Sequence, residues 1–233
     1  MPPRQAPQQV DGRKTRWEGQ HERRRAEFVD AAITAIARFG PEVSTQQIAD
    51  EAGVARTRLY KHFADAGDLQ RAVAARAAES VTAALQPLWR PRGTPMEMIT
   101  NAVDAYVGWL RENSHLYRYL SRHTGTLDAV ADIKTAIGAH LSGLFAGYLT
   151  ALDGDPRAAE PLGFGIVGFV DTASVRWVDR PGGLGHEELT AQLARWIWCV
   201  LDETLRASGL SLDPHQPLDL EHPAAATERA TNS

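Results

Sequence analysis

Apolar residues in this chain recur three and four positions apart, segment after segment, and no stretch alternates with period two long enough to make a convincing strand. That spacing gathers the apolar side chains of each segment onto one helical face, so the expected fold class is all-α. The first run is Phe28, Ala31, Ala32, Ala35, Ile36 and Phe39, stopped by Gly40 and Pro41. Ser44 and Gln47 then form a capping box for a short second helix that buries Ile48, Ala49 and Ala52 and stops at Gly53. A third segment, Ala55 to Phe63, buries Leu59 and Phe63 and turns Arg56, Thr57, Arg58, Lys61 and His62 outward. Asp68 opens a longer helix through Leu69, Val73, Ala77, Val81 and Leu85, ended by Pro87 and Pro91. Further helices are expected at 96 to 112, 116 to 123 after a kink near Asn113, 127 to 152, 161 to 179 with Pro161 as a helix-initial proline, and 186 to 208.

With 233 residues, 43% of them hydrophobic, the chain is long enough for one large or two small globular domains. No run of eighteen apolar residues occurs and the first twenty residues are polar and basic, so the expectation is a cytoplasmic protein without a membrane partner. Residues 1 to 20, with Arg13, Lys14 and Arg16, read as a flexible basic arm; residues 213 to 233 read as a disordered tail. The net charge of -4 hides an asymmetry. Residues 1 to 63 carry eleven Lys and Arg against eight Asp and Glu, whereas 64 to 233 carry fourteen against twenty-one. A basic first third on an acidic remainder suits a small nucleic-acid-binding head on a body with another task.

Two amphipathic segments joined at Gly53, the second with a polar face, form a helix-turn-helix whose second helix can lie in the DNA major groove. In sequence the region resembles the TetR (tetracycline-repressor-like) regulators. The resemblance is carried by Arg25, Phe28, Ala31, Ala32 and Phe39, then by Ser44-Thr-Gln-Gln-Ile48-Ala49-Asp-Glu-Ala52-Gly53-Val54, then by Leu59-Tyr60-Lys-His62-Phe63 and Leu69. It implies a three-helix DNA-binding head over 21 to 67, an effector-binding and dimerisation body over 68 to 212, a homodimer, and a palindromic double-stranded operator, most often repressed. It also places Arg56, Thr57 and Lys61 at base-contacting positions and Ser44, Arg58, Tyr60 and His62 at phosphate-contacting ones. The donor chemistry agrees: Arg56 can give two hydrogen bonds to a guanine edge, and Tyr60 and Ser44 can give one each to phosphate oxygens. Two positions depart from the family pattern, Ala55 where a capping hydroxyl is usual and Ala66 where a lysine is usual.

An alternative is a helical small-molecule-binding or dinucleotide-using enzyme with a structural helix-turn-helix, because Gly163-Phe-Gly165-Ile-Val-Gly168 matches G-x-G-x-x-G. No apolar strand precedes it and no βαβ pattern follows, so close helix packing is the expected role of these glycines, with no catalytic residue and no cofactor. The histidines show no metal-ligand spacing, and the single Cys199 is expected to pack. Tyr106, Trp109, Tyr117, His140, Phe145 and Tyr148 exceed what a bundle needs and are expected to line a site for a small apolar or amphipathic effector, such as an acyl chain or hydrophobic drug. Asp104 or Asp171 is a candidate partner for a cationic one. Helices 161 to 179 and 186 to 208 are apolar on two sides; Phe169, Trp177, Leu193, Trp196 and Val200 are expected to meet a second subunit.

Overall fold

The computed structural model describes residues 12–89, 92–122, 129–151, 154–180 and 182–217. Among them the regular structure is helical: α1 (Gly12–Phe39), α2 (Thr45–Glu51), α3 (Arg56–Leu59), α4 (Ala66–Ala84), α5 (Gln86–Trp89), α6 (Pro95–Glu112), α7 (Ser114–Arg122), α8 (Ala129–Ala151), α9 (Ala159–Asp179) and α10 (His186–Ala207). The chain is all-α, as its periodicity requires. None of these helices is long and apolar enough to cross a membrane. Two compact units divide the chain at 76/77, inside α4.

In the first unit α1 buries Phe28, Val29, Ala32, Ala35 and Ile36, while Phe39 at its last turn is 43% exposed beneath the Arg38 guanidinium. Residues 1–11 of the expected arm lie outside the described residues. From Gly12 the arm is already helix, because Arg13, Lys14, Arg16, Glu18 and Gln20 are good helix formers and no proline follows Pro7 in that stretch. Gly40 (φ 86) ends α1 and Gly53 (φ 64) ends α2, each in the left-handed region that favours glycine. The expected capping box is present: the Gln47 N–H donates to Ser44 Oγ, and Gln47 Oε1 accepts from the Ser44 N–H at 2.8 Å. The third segment is a single helical turn, shorter than the expected span to Phe63. Ala55 offers no capping oxygen, and past Tyr60 the backbone tightens to i→i+3 bonds, from the His62 N–H to Leu59 O at 3.0 Å. Leu59 and Phe63 are nonetheless fully buried, each contributing about 1.5–3 kcal/mol by burial.

In the second unit α6, α9 and α10 share a core of Val103, Val107, Val170, Leu189, Leu193 and Ile197. Val81, Leu85, Trp109 and Leu110 form another, and Leu149, Ala159 and Leu205 a third against Leu210 and Leu212. Thr94 caps α6 through a second capping box with Glu97, and Asp155 caps the 3₁₀ turn Pro156–Ala158 that feeds α9, placing Pro161 in the first turn of that helix instead of at its start. α8 and α9 cross with their backbones nearly touching: a Cβ on Gly163 would lie 2.6 Å from Ser142 Oγ and 2.8 Å from Ser142 N. Gly163 thus has the packing role expected of it. Gly165 and Gly168 do not, since a Cβ on either would meet open space. The expected tail begins in an ordered segment, where the Met96 N–H donates to Pro214 O at 3.0 Å; residues 218–233 lie outside the described residues.

Candidate nucleic-acid interface and effector cavity

The single turn of α3 sets Arg56, Thr57 and Arg58 in solvent, and Lys61 follows on the next turn, also exposed. Four residues with donor side chains, three of them cationic, therefore stand on one short segment held from beneath by Leu59 and Phe63. Tyr60 is half-buried beside them, with the Arg56 guanidinium 5.6 Å from its ring centre. Hydrogen bonds from Thr45 and then Arg56 pull its phenol below the usual range. Two of the positions expected to face phosphate are otherwise engaged. The Ser44 hydroxyl donates to Gln47 Oε1 at 2.9 Å within the capping box. The His62 ring stacks on His21 at 4.6 Å and meets the Phe28 ring edge, so desolvation first, then the charge of His21, lowers its pKa.

What fixes this segment on α1 is Arg25. Its guanidinium donates to Asp68 Oδ1 at 2.6 Å, to Asp68 Oδ2 at 3.0 Å and to the His62 carbonyl at 2.7 Å, and lies 4.3 Å from the Phe63 ring centre. The Arg25 hydrogen bonds, with one from the Ala64 N–H, hold the Asp68 carboxyl down at about 2. Arg25 and Asp68 were visible in the sequence only as a motif residue and a helix start; their partnership spans 43 positions and leaves no local signal.

The second unit encloses a cavity of about 230 Å³ lined by α4 to α10 and by Leu212. Tyr106, Trp109, Tyr117, Phe145 and Tyr148 all line it; His140 does not. The His140 ring packs edge-on to Trp89, its Nε2 3.4 Å from Leu88 O. The rest of the lining is mainly aliphatic, including Ile133, Ile137, Leu141, Leu144, Ile166 and Leu205, with Trp198, Met98 and Thr204 among it. Lys134 and Leu149 both line the cavity from α8, and at 1.5 Å per residue their separation is roughly 22 Å.

One polar cluster interrupts the apolar lining. Asp171, 7% exposed, accepts from the Tyr106 hydroxyl at 2.6 Å and the Tyr117 hydroxyl at 3.0 Å through Oδ1, and pairs through Oδ2 with Lys134 Nζ at 2.6 Å. Burial, then the Asp171 charge, raises both phenols above their ordinary range. Burial works against the charge on Lys134, but the hydrogen bond and charge of Asp171 outweigh it and raise the ammonium's pKa. The expectation that Asp171 stands open for a cationic ligand is thus corrected: Lys134 already occupies it. Asp104 is outside the cavity, its Oδ1 2.7 Å from His186 Nε2. Lys134 was missed in the sequence, where its only mark is to be the sole lysine or arginine of α8.

The expected partner-facing stripe of α10 splits in two. Leu189, Leu193, Ile197 and Leu205 turn into the core, so Leu193 is not a surface residue, whereas Trp196 (47%) and Val200 (51%) are exposed. On α9, Phe169 is 41% exposed and its ring meets Trp196 at 5.9 Å. Trp177 is half-buried against the core of its own chain and donates through Nε1 to Leu184 O at 2.8 Å. Cys199, expected to pack, is exposed on the same side as Trp196 and Val200.

Comparison with known proteins agrees with this anatomy. Residues 28–78, α1 from Phe28 through most of α4, match the family described as bacterial regulatory proteins, tetR family. An uncharacterised HTH-type transcriptional regulator of Mycobacterium tuberculosis is 29% identical over 205 residues, 86% of each chain. Among solved structures, a tetR-family transcriptional regulator from Streptomyces coelicolor superposes with a TM-score of 0.65 at 20% identity, covering 91% of this chain and 89% of its own. The transcriptional regulator FadR from Bacillus subtilis in complex with stearoyl-CoA gives a TM-score of 0.57 at 18% identity, over 74% of this chain and 96% of its own. At these identities the structural likeness speaks to the fold.

Proposed function

We propose that this chain, whose residues 28–78 match the tetR family of bacterial regulatory proteins, is a TetR-family transcriptional regulator that represses as a homodimer on a palindromic operator and is released by an apolar or amphipathic effector held in the body cavity. The observation that carries this reading is the joint presence, in one chain, of an exposed Arg56, Thr57, Arg58 and Lys61 surface and of a long apolar cavity in a separate unit. Arg56, Thr57 and Lys61 read base edges, while Arg58 and Tyr60 hold phosphates. Ser44 reaches a phosphate by turning its hydroxyl from Gln47, whereas His62, its ring packed on His21 and Phe28 and its N–H given to Leu59 O, reaches one only if the ring turns away from these neighbours.

Phe169, Trp196 and Val200 supply the centre of the subunit contact, an exposed aromatic and aliphatic patch of the kind that becomes an interface core. Two heads then face half-sites separated by roughly 10 bp or a small multiple. The α8 residues that line the cavity span roughly 22 Å of helical rise, more than the ~15 Å depth of one leaflet of membrane hydrocarbon, and a lining of that extent suits a long alkyl chain. The Bacillus subtilis regulator of the same fold, solved with stearoyl-CoA, supports that shape of ligand. The reading gives this chain no catalytic step.

The test is retention of duplex DNA by the purified full chain across a salt series, followed by addition of long-chain apolar compounds. Affinity should fall steeply with salt, as phosphate contacts require. An effector that lowers operator affinity tenfold needs only about 1.4 kcal/mol of coupling, and operator DNA must weaken its binding by the same factor. Binding with no salt dependence and no preference among DNA sequences rejects the regulator mechanism.

A further inference from the structure

We propose that the cavity selects long-chain molecules whose polar end is a neutral hydrogen-bond acceptor, an ester or ketone in preference to a carboxylate or an amine, and that Lys134 and Asp171 set this choice. The inference rests on the effector reading above and names the chemistry of its ligand.

The cluster on the cavity wall has little left to offer except one kind of bond. Tyr106 and Tyr117 each have a single hydroxyl proton, and both are given to Asp171 Oδ1. Asp171 has a third donor in Lys134 at Oδ2. The ammonium carries three N–H groups, so within this cluster Lys134 is the group with a donor to spare for a ligand, even after its bonds to Asp171 and to the Tyr117 oxygen. A ligand that meets this wall must therefore bring an acceptor.

Charge decides which acceptor. Among the described residues that line the cavity, Lys134 and Asp171 are the only charged ones, and their charges cancel. A carboxylate bound at Lys134 would be a second anion sharing one ammonium with Asp171, whose oxygen is already 2.6 Å from that nitrogen, in walls that provide no other countercharge. An amine would be a second cation beside Lys134, and would find three of the four acceptor positions of Asp171 already taken. A carbonyl or ester oxygen takes the free ammonium proton and adds no charge. The raised phenols of Tyr106 and Tyr117 are consistent with this: they remain donors to Asp171 and do not become anions that would balance an incoming cation.

The experiment titrates the full chain with methyl dodecanoate, dodecanoate and dodecylamine, three compounds with one chain length and three polar ends. Intrinsic fluorescence reads binding through Trp109 and Trp198, both on the cavity wall. The methyl ester should bind at least about tenfold more tightly than either charged compound, a factor equivalent to about 1.4 kcal/mol. In Asp171→Asn the amide oxygen still accepts from the tyrosines but the negative charge is gone, so dodecanoate should gain at least about tenfold relative to the ester. Lys134→Met should cost the ester a similar factor by removing its donor. The ranking in the unaltered protein decides the matter if either variant fails to fold. Charged compounds equal to or tighter than the ester overturn the selectivity while leaving the effector cavity standing; an unmoved carboxylate-to-ester ratio in Asp171→Asn does the same. If none of the three compounds changes fluorescence or melting temperature, the effector reading itself falls, and this inference with it.

Discussion

Arg25 closes the head by joining the middle of α1 to the start of α4 and to the carbonyl that follows α3, and its value depends on the ionisation of Asp68. The folded carboxyl titrates at about 2, against the ordinary 3.8. Its contribution is therefore complete above about pH 4 and is lost as the pH falls through 2. With the Asp68 side chain 20% exposed, the loss amounts to on the order of 1–2 kcal/mol. Asp68→Asn should remove this acid-sensitive part of the head's unfolding transition, measured by denaturant melts at pH 7 and pH 3; equal losses for both proteins on acidification would contradict it. On the exposed side of the same head, Arg56→Ala should relax base preference at one operator position by about 1–3 kcal/mol, and Lys61→Ala should do likewise at another. Arg58→Ala should weaken all sequences alike and flatten the salt dependence. Competition binding against single-base operator variants separates the two classes. The exposed donors were legible because each needs only a helical period and a buried Leu59 to be placed. His62 was not, because its ring is claimed by His21 and Phe28, and nothing within a turn of it announces α1 as its neighbour.

Among the elements, helix type and sequence order were legible except for the short α5, which contains the Pro87 expected to end the preceding helix, and helix ends were legible wherever a capping residue sets them. Ser44, Gly40 and Gly53 are such positions, and the structure stops or starts helices beside them. The end of α3 was not, since it is set by a missing cap at Ala55 and a tightening backbone. Faces were harder. On α8 the cavity arc runs through Ile133, Ile137, Leu141, Leu144 and Tyr148, and His140 falls just off it, one step outside an arc whose edge only the neighbouring helices define. The glycines of α9 divide the same way, and the division can be tested. Gly163→Ala drives a methyl into Ser142 and should destabilise the body by about 1–3 kcal/mol through overpacking. Gly165→Ala meets nothing and should stabilise it by up to about 1 kcal/mol through helix propensity. Calorimetric melts of the two variants should move in opposite directions; a shared direction would place the α8 and α9 crossing elsewhere.

At the scale of the whole molecule, the outward side of α9 and α10 exposes Phe169, Trp196 and Val200 together. Trp196→Glu and Val200→Glu should each give monomer by sedimentation at micromolar concentration, with the thermal stability of the body retained, because both side chains are about half exposed. Operator affinity should fall by orders of magnitude, one head keeping only half of the contacts. Leu193→Glu should instead unfold the body, since Leu193 is fully buried in its own chain. A monomeric, folded Leu193→Glu protein would reverse the assignment of the two sides.

The cavity wall also draws on residues far apart in the chain, and this gives the protein a history in time. The head's core is complete once α4 is under way, while the wall of the cavity lacks Trp198, Leu205 and Leu212 until α10 and the segment after it exist. Residues emerge from a ribosome at about 5–20 per second, so on the order of 7 to 27 seconds of synthesis separate the two events. Under the proposed function, a nascent chain in that interval carries its DNA-reading surface before it has a cavity to receive an effector, and responsiveness is the last property it acquires.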